Sequence, residues 1–272
     1  MTEGRATGSS IGGITAIGVA CQYTAEMFIK AYDDMPGKKF MEYEKKAEED
    51  KNIFHKIFYG VATFIGARRV LTDAYLKYFT SKFNWSMVPA KVELYVGFCL
   101  TSELAKVSGL DGAFTFVDLR TVMKQKKPAA ELAKDVNIYF GAKDGVYRFS
   151  KSARSLVKVS NTVIPLGRLA LMTMANPAFR KVDVMFKDDY AFDGGIANNH
   201  ANCAQVGDYY QLVCTAEGGD EKPDELSSYY RGLGPAPVKT FYCQPAHPTA
   251  FLEFTDAALK IEADRPATTF LG

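Results

Sequence analysis

The chain has 272 residues, of which 47% are hydrophobic and 24% charged, and its formal net charge is +2. This composition is ordinary for a folded protein with its own hydrophobic core, and the sequence contains no internal repeat, heptad array or low-complexity tract. The five cysteines are odd in number and irregularly spaced, and no secretory leader is recognisable before them. We therefore expect reduced thiols and an intracellular, cytoplasmic location.

Charge is sorted along the chain. Residues 116–187 hold 14 Lys and Arg against 5 Asp and Glu, a balance of +9. Residues 188–272 hold 5 against 13, a balance of −8, while residues 1–115 are nearly neutral at 14 against 13. Opposite charge blocks favour contacts between copies of one protein, or contact between the basic block and a polyanion.

The N-terminal residues are uncharged over a long stretch. Residues 1–10 are rich in Gly and Ser and predict a flexible arm. Apolar residues at helical spacing then predict a helix over 11–32, ended by Pro36. The uncharged run 6–25 is long enough to cross a bilayer, but its many Gly, Ser and Thr residues favour a buried or interfacial helix instead.

The strongest periodic signal follows. At 52–82 the apolar residues form one broad stripe, which predicts a long core helix. Helical spacing also predicts a helix that begins near Ser86 and ends at Gly109. Shorter helices are predicted at 114–125 and 128–135.

The second half of the chain, residues 136–272, shows a different pattern. Strand-forming residues on both sides of Asp144-Gly145 predict a β-hairpin. A helix is predicted over 151–175, and alternating residues predict a strand over 182–186.

Short apolar runs then alternate with loops. The segments YYQLVCTA, VKTFYC and TAFLEF are typical of short strands, and 216–238 has the composition of a long exposed loop. The sequence therefore predicts an α+β fold with a flexible arm (1–10), a mainly helical region (11–135) and a mixed, loop-rich region (136–272). The last two regions can form one continuous domain.

A basic face is the first candidate site. Three of its residues are spaced i, i+3, i+7 on the predicted helix, and aromatic residues lie in the neighbouring strands. Cationic side chains neutralise phosphates and aromatic rings stack on unpaired bases, which together favour single-stranded nucleic acid. A solvated helix face, or a surface for an acidic protein, is the alternative. The candidate residues are Arg148, Lys151, Arg154 and Lys158, with Arg68 and Arg69 as a second set.

A metal site is the second candidate. His200 and Cys203 are spaced H-x2-C, and Cys243 and His247 are spaced C-x3-H. Two close pairs of nitrogen and sulfur ligands suit tetrahedral zinc. The alternative is that these are unrelated core and turn residues, since buried cysteine is common in apolar runs.

Cysteine-based catalysis is the third candidate. Cys203 or Cys214 could act as a nucleophile with His247, but we recognise no nucleophile-elbow or cysteine-protease signature in the local sequence. The acidic cluster Asp188, Asp189 and Asp193 lacks calcium-loop spacing and predicts a turn with surface carboxylates. No glycine-rich nucleotide motif is present, so no nucleotide cofactor is predicted.

These observations favour a non-enzymatic structural subunit. It would assemble with copies of itself, as a coat or nucleocapsid-type protein that contacts single-stranded RNA or DNA, without a cofactor. One alternative is an accessory subunit of a larger complex at an organelle membrane, with residues 11–32 against lipid. The other is a zinc-dependent enzyme that uses ligands within 200–247.

Overall fold

The computed structural model describes residues 1–34, 72–107, 134–175, 182–198, 200–214, 230 and 232–243. The helices are α1 (Ile11–Ala20), α2 (Ala25–Asp33), α3 (72–82), α4 (Thr101–Val107), α5 (Leu166–Thr173) and α6 (Gly195–Asn198), with short 3-10 turns at Trp85–Met87 and Asn202–Ala204. The strands are β1 (Gly4–Ser9), β2 (Val92–Leu100), β3 (Tyr139–Ala142), β4 (Gly145–Ser150), β5 (Ser155–Ser160), β6 (Val182–Asp183), β7 (Tyr190–Asp193), β8 (Tyr210–Cys214) and β9 (Lys239–Cys243).

The main sheet is mostly antiparallel and is built around β2. Its order is β5-β4-β3-β2-β7-β6, with β1 parallel to β2. Ser9 of β1 lies opposite Gly97, and Asp193 of β7 lies opposite the next residue, Phe98. Because β3 pairs with β2 at the same residues, β1 and β7 share its other edge and their C-terminal ends meet there.

Each face of the sheet has its own hydrophobic core. On one face, α1 and α5 pack against β2 and bury Ile17, Phe98 and Leu169 completely. On the other face, α4, α6 and the turn at Asn202–Ala204 cover Cys99 and Phe140. The fold is therefore α+β, with helices on both sides of a largely antiparallel sheet.

The predicted flexible arm at 1–10 is wrong. Gly4–Ser9 forms β1, in register with Val92–Gly97, and Arg5 bonds Glu93 at 2.6 Å. A strand beside a buried strand is held mainly by backbone hydrogen bonds, which small polar residues make as well as large apolar ones. The composition of residues 1–10 therefore predicted a flexible segment, although the backbone of Gly4–Ser9 is paired with β2.

The predicted helix from Ser86 to Gly109 is also wrong over most of its length. Val92–Leu100 is strand β2, and only Thr101–Val107 is helical. Eight of the nine β2 residues are buried because the strand has a core on each face. Such a strand loses its two-residue alternation, so its apolar positions also fit a helical period.

The predicted helix over 151–175 divides into a strand and a helix. Ser155–Ser160 is β5, an edge strand of the sheet, and Leu166–Thr173 is α5. The residues of β5 are exposed or half-buried on both faces, so the sequence shows no clear alternation there. Arg154, in the turn before β5, has a positive φ of 49° that a helix would not allow.

The predicted hairpin is confirmed. β3 and β4 are antiparallel, with Ala142 opposite Gly145 across the turn. Gly145 has a φ of 146°, a conformation that side chains disfavour, which explains the glycine. Strands are also confirmed at Val182–Asp183 and in the two apolar runs that become β8 and β9.

The remaining helix predictions are tested only in part. The predicted helix over 11–32 is present as α1 and α2, with a break at residues 21–24. The end of the predicted helix at 52–82 is α3, and the rest of it lies outside the described residues. So do 114–125 and most of 128–135, the run TAFLEF, and most of the predicted loop at 216–238.

Within the described residues, none of the helices combines the length and the apolar character needed to cross a bilayer.

Candidate active site

Ser10 lies at a sharp turn between β1 and α1. Its backbone angles are φ 56° and ψ −135°, a region that residues other than glycine rarely adopt. Holding a serine there costs on the order of 1–3 kcal/mol and persists only where the surroundings impose it. A strained serine between a strand and a helix is the geometry of a nucleophile elbow, in which the hydroxyl projects clear of the sheet.

One of the two glycines that flank Ser10, Gly8, is required for this turn. A Cβ at Gly8 would collide with the Gly12 carbonyl, so β1 and α1 approach more closely than any side chain allows. A Cβ at Gly12, by contrast, would meet nothing within 4 Å, so open space adjoins the first turn of α1. The turn therefore reads G-x-S-x-G from Gly8 to Gly12, with Ser10 at its centre.

Asp193 is the partner of Ser10. Ser10 Oγ donates a hydrogen bond of 2.8 Å to Asp193 Oδ2, across 183 residues of sequence. The other carboxylate oxygen, Oδ1, accepts the Gly195 N–H at 2.8 Å. Gly194 has no room for a side chain beside the Gly97 carbonyl, so β7 can turn into α6 directly against β2. The Asp193 carboxylate is thus bonded to the Gly195 N–H through Oδ1 and to the Ser10 hydroxyl through Oδ2.

Burial changes the acidity of Asp193. Removal of its carboxylate from water raises its pKa to about 6, although the hydrogen bonds from Gly195 and Ser10 oppose the rise. A carboxylate with a pKa near 6 is a better proton acceptor than one at its ordinary value, and it is still ionised at neutral pH. Asp193 can therefore serve as a general base for the Ser10 hydroxyl.

The start of α1 provides hydrogen-bond donors beside Ser10. The first N–H groups of an α-helix have no acceptor within the helix, and the helix dipole adds positive charge there. In α1 these groups belong to Ile11 and Gly12, directly after the serine. N–H groups in this position of a helix can stabilise an oxyanion that forms on a carbonyl attacked by the preceding serine.

A cavity of about 1140 Å³ opens at this turn. Its lining includes Ser10, residues of β1 and α1, and residues before and within β8. His200 also lines it, but the group bonded to the Ser10 hydroxyl is the Asp193 carboxylate. Ser10 thus lines a cleft large enough for a small organic substrate, and the Asp193 carboxylate is hydrogen-bonded to its hydroxyl.

The basic face predicted from the sequence does not form as a helix face. Lys158 lies on β5 opposite Tyr147 and forms an ion pair with Asp144 at 3.0 Å. Arg148 lies on the neighbouring strand opposite Val157, the residue before Lys158, so the two basic side chains point to opposite faces of the sheet.

The other two basic residues lie in and beside the turn at 151–154. Lys151 bonds the Lys134 carbonyl and lies 5.4 Å from the ring of Tyr230. Arg154 is exposed in the turn. The helical spacing that grouped the residues is therefore wrong, and their contact with nucleic acid stays a prediction. Arg68 and Arg69 lie outside the described residues.

The predicted zinc site is not tested, because only His200 and Cys203 of its four ligands have described side chains. Cys203 is buried in the core on the α6 face of the sheet, where burial raises the pKa of its thiol strongly. His247 and the side chain of Cys243 lie outside the described part of the chain. Across the described ranges no three His, Cys, Asp or Glu side chains cluster as a metal site would require.

Nucleophilic catalysis by a cysteine is not favoured either. A thiol attacks as the thiolate, and the raised pKa of Cys203 keeps it protonated at neutral pH. The side chain of Cys214 and the whole of His247 are not described.

The prediction of surface carboxylates is wrong for Asp193 and correct for Asp188, which is exposed. Asp189 is half-buried and accepts hydrogen bonds from Ser102. Asp193 instead ends a strand of the main sheet and bonds Ser10. Sequence reasoning missed this site although one signal was available, the G-x-S-x-G spacing at Gly8–Gly12, because residues 1–10 were interpreted as a flexible arm.

The chain matches no protein-family model, and comparisons with curated proteins and with solved structures gave no match. Its function is therefore inferred from the geometry of Ser10 and Asp193.

Proposed function

We propose that the protein is a serine hydrolase that cleaves carboxylic esters with Ser10 as nucleophile and Asp193 as general base. The observation that carries the proposal is the 2.8 Å hydrogen bond from Ser10 Oγ to Asp193 Oδ2 at a strained strand-to-helix turn. An ordinary capping serine would adopt an extended backbone and bond its own helix, and Ser10 does neither.

The first half of the reaction forms an acyl-enzyme. Ser10 Oγ attacks the ester carbonyl carbon while Asp193 Oδ2 accepts the hydroxyl proton. The resulting oxyanion is stabilised by the N–H groups of Ile11 and Gly12. When the tetrahedral intermediate collapses, the bond to the leaving oxygen breaks and Asp193 returns the proton to that oxygen, which releases the alcohol.

The second half uses water in the same way. Asp193 accepts a proton from a water molecule, whose oxygen attacks the acyl carbon on Ser10. The bond between that carbon and Ser10 Oγ then breaks, and Asp193 returns the proton to the serine. The products are a carboxylic acid and the starting enzyme, so no cofactor is needed.

The lining of the cleft favours an apolar acyl group. Ile11, Val19, Val206 and Leu212 all line it, and each is an exposed large hydrophobic residue. Such side chains stabilise a bound hydrocarbon chain by removing it from water. We therefore expect acyl chains of several carbons to react better than acetyl esters of the same alcohol.

The proposal is tested with Ser10→Ala and a fluorophosphonate probe, which bonds covalently to an activated serine. We expect the probe to label the native chain at Ser10, and Ser10→Ala to lose labelling and ester hydrolysis by about three orders of magnitude. Ser9→Ala is the matched control, because it removes the neighbouring hydroxyl, which is 2% exposed and makes no hydrogen bond to the described residues. Hydrolysis that survives in Ser10→Ala, or labelling at another serine, would contradict the proposal.

The assembly function expected from the charge blocks is a second proposal, and it is compatible with the first. What supports it is the sequence pattern, +9 over residues 116–187 and −8 over residues 188–272. Two exposed cations of the basic block, Arg148 and Arg154, are the best candidates for contact with a polyanion.

A further inference from the structure

Strands β8 and β9 form a small sheet that is separate from the main one. They are parallel, with Tyr210 opposite Lys239 and Leu212 opposite Phe241, so these four side chains share one face. We call them the ribbon face. The opposite face, with Gln211 and Val213, is buried, so the ribbon is fixed to the protein on that side.

The ribbon face is apolar and unusually exposed. Tyr210 is 71% exposed and Leu212 52% exposed, although both are large hydrophobic residues. The rings of Tyr210 and Phe241 lie 6.2 Å apart, which adds a half-buried aromatic ring to the patch. Val206 and Val238, at 63% and 59% exposed, precede the two strands. Scattered exposed apolar residues are normal, but a contiguous group of this kind marks a contact surface.

One cation lies within this apolar face. Lys239 Nζ lies 5.0 Å from the centre of the Phe241 ring, and no ion pair involves Lys239 among the described residues. Among the described residues, the carboxylate nearest to Lys239 along the sequence is that of Asp208, which precedes β8. The face itself therefore carries a positive charge that an anionic surface would complement.

The ribbon face adjoins the candidate active site. Tyr210 and Leu212 line the same cavity as Ser10, so whatever contacts this face also reaches the mouth of the cleft. Tyrosine is enriched where a protein meets the boundary between lipid and water, and lysine extends its charge toward the headgroups from such a position. Aromatic, aliphatic and cationic side chains on one fixed face fit that boundary.

From this arrangement we infer that the ribbon face docks on the surface of an anionic lipid bilayer and brings the mouth of the Ser10 cleft against it. The inference rests on the proposed function only in that the cleft would then take esters from the bilayer. Docking itself does not require the reaction.

The test uses the full chain with Ser10→Ala, so that no lipid is consumed, and vesicles of phosphatidylcholine with or without phosphatidylglycerol. We expect the protein to float with the anionic vesicles. Tyr210→Ser with Leu212→Ser should weaken binding roughly tenfold or more, because both apolar anchors are lost. Lys239→Gln should weaken it by about fivefold on anionic vesicles only.

Val157→Ser with Val159→Ser is the matched control, because these exposed valines lie on β5 of the main sheet. This control should bind vesicles as Ser10→Ala alone does. The circular dichroism spectrum and melting temperature of the Tyr210 and Leu212 variant should match those of Ser10→Ala alone, which shows that the fold is intact.

Three outcomes would overturn the inference. One is that Ser10→Ala floats with neither kind of vesicle, and another is that the ribbon variant binds as tightly as its parent. The third is that light scattering shows a dimer which the ribbon variant separates, since the face would then be covered by a second copy. Failure of the fluorophosphonate experiment alone would remove the proposed reaction and leave vesicle binding as observed.

Discussion

At the scale of single residues, the chemistry depends on the protonation state of Asp193. Only the ionised carboxylate can accept the Ser10 proton, and burial raises its pKa to about 6. We predict that kcat/KM for a soluble ester is constant above pH 7 and falls about tenfold for each pH unit below 6. The measurement is a pH profile on an uncharged substrate. A profile that stays flat down to pH 5 would exclude Asp193 as the base.

The same pKa has a consequence for stability that does not depend on activity. Because the folded-state pKa of Asp193 lies above its ordinary value of 3.8, the ionised form is disfavoured on folding. The penalty is present in full above pH 6 and disappears as the pH falls below about 4. Asp193→Asn should therefore raise the free energy of unfolding at pH 7.5 by up to about 3 kcal/mol, and the gain should vanish near pH 4. Denaturant unfolding of both proteins at the two pH values provides the check.

At the scale of elements, the turn between β1 and α1 depends on Gly8. A Cβ there would overlap the Gly12 carbonyl, which is rigid backbone, so α1 must shift away from β1. We predict that Gly8→Ala lowers the free energy of unfolding by about 1–3 kcal/mol and lowers kcat by roughly a hundredfold, because Ser10 moves relative to Asp193.

Gly12→Ala is the control for this prediction. Its Cβ enters open space at the start of a helix, so alanine should leave stability unchanged or raise it by up to about 1 kcal/mol. Thermal unfolding of the two variants side by side makes the comparison. Equal melting temperatures would mean that close packing at Gly8 does not maintain the turn.

The elements show which parts of the fold local sequence could predict. The β3–β4 hairpin was predicted because Asp144-Gly145 specifies its turn locally, between two runs of strand-forming residues. Strand β2 was not, because burial on both faces removes the alternation that identifies a strand. The pairing of Ser10 with Asp193 spans 183 residues and depends on two strands that meet on one edge of β2, which no local pattern encodes. Only the glycine spacing around Ser10 is local, and it becomes informative once a strand is placed before it.

At the scale of the whole molecule, part of the positive charge of the basic block is paired or partly buried within the folded chain. Lys158 pairs with Asp144 within the basic block, and Lys151 is partly buried beside Tyr230. Fewer cations of that block are available to an external partner than its balance of +9 suggests. An assembly driven by the blocks would therefore depend on exposed residues such as Arg148 and Arg154.

This dependence gives the last prediction. If the basic block retains a polyanion, the purified chain at low salt should elute from a sizing column early and with a raised ratio of absorbance at 260 nm to that at 280 nm. Both effects should diminish as salt is added, because counterion release drives such binding. Arg148→Glu with Arg154→Glu should remove them at low salt, whereas Lys77→Glu, an exposed cation on α3, should not. Elution and absorbance that do not change with salt or with either variant would mean that the charge blocks do not mediate assembly, and the ester hydrolase would remain as the function to test.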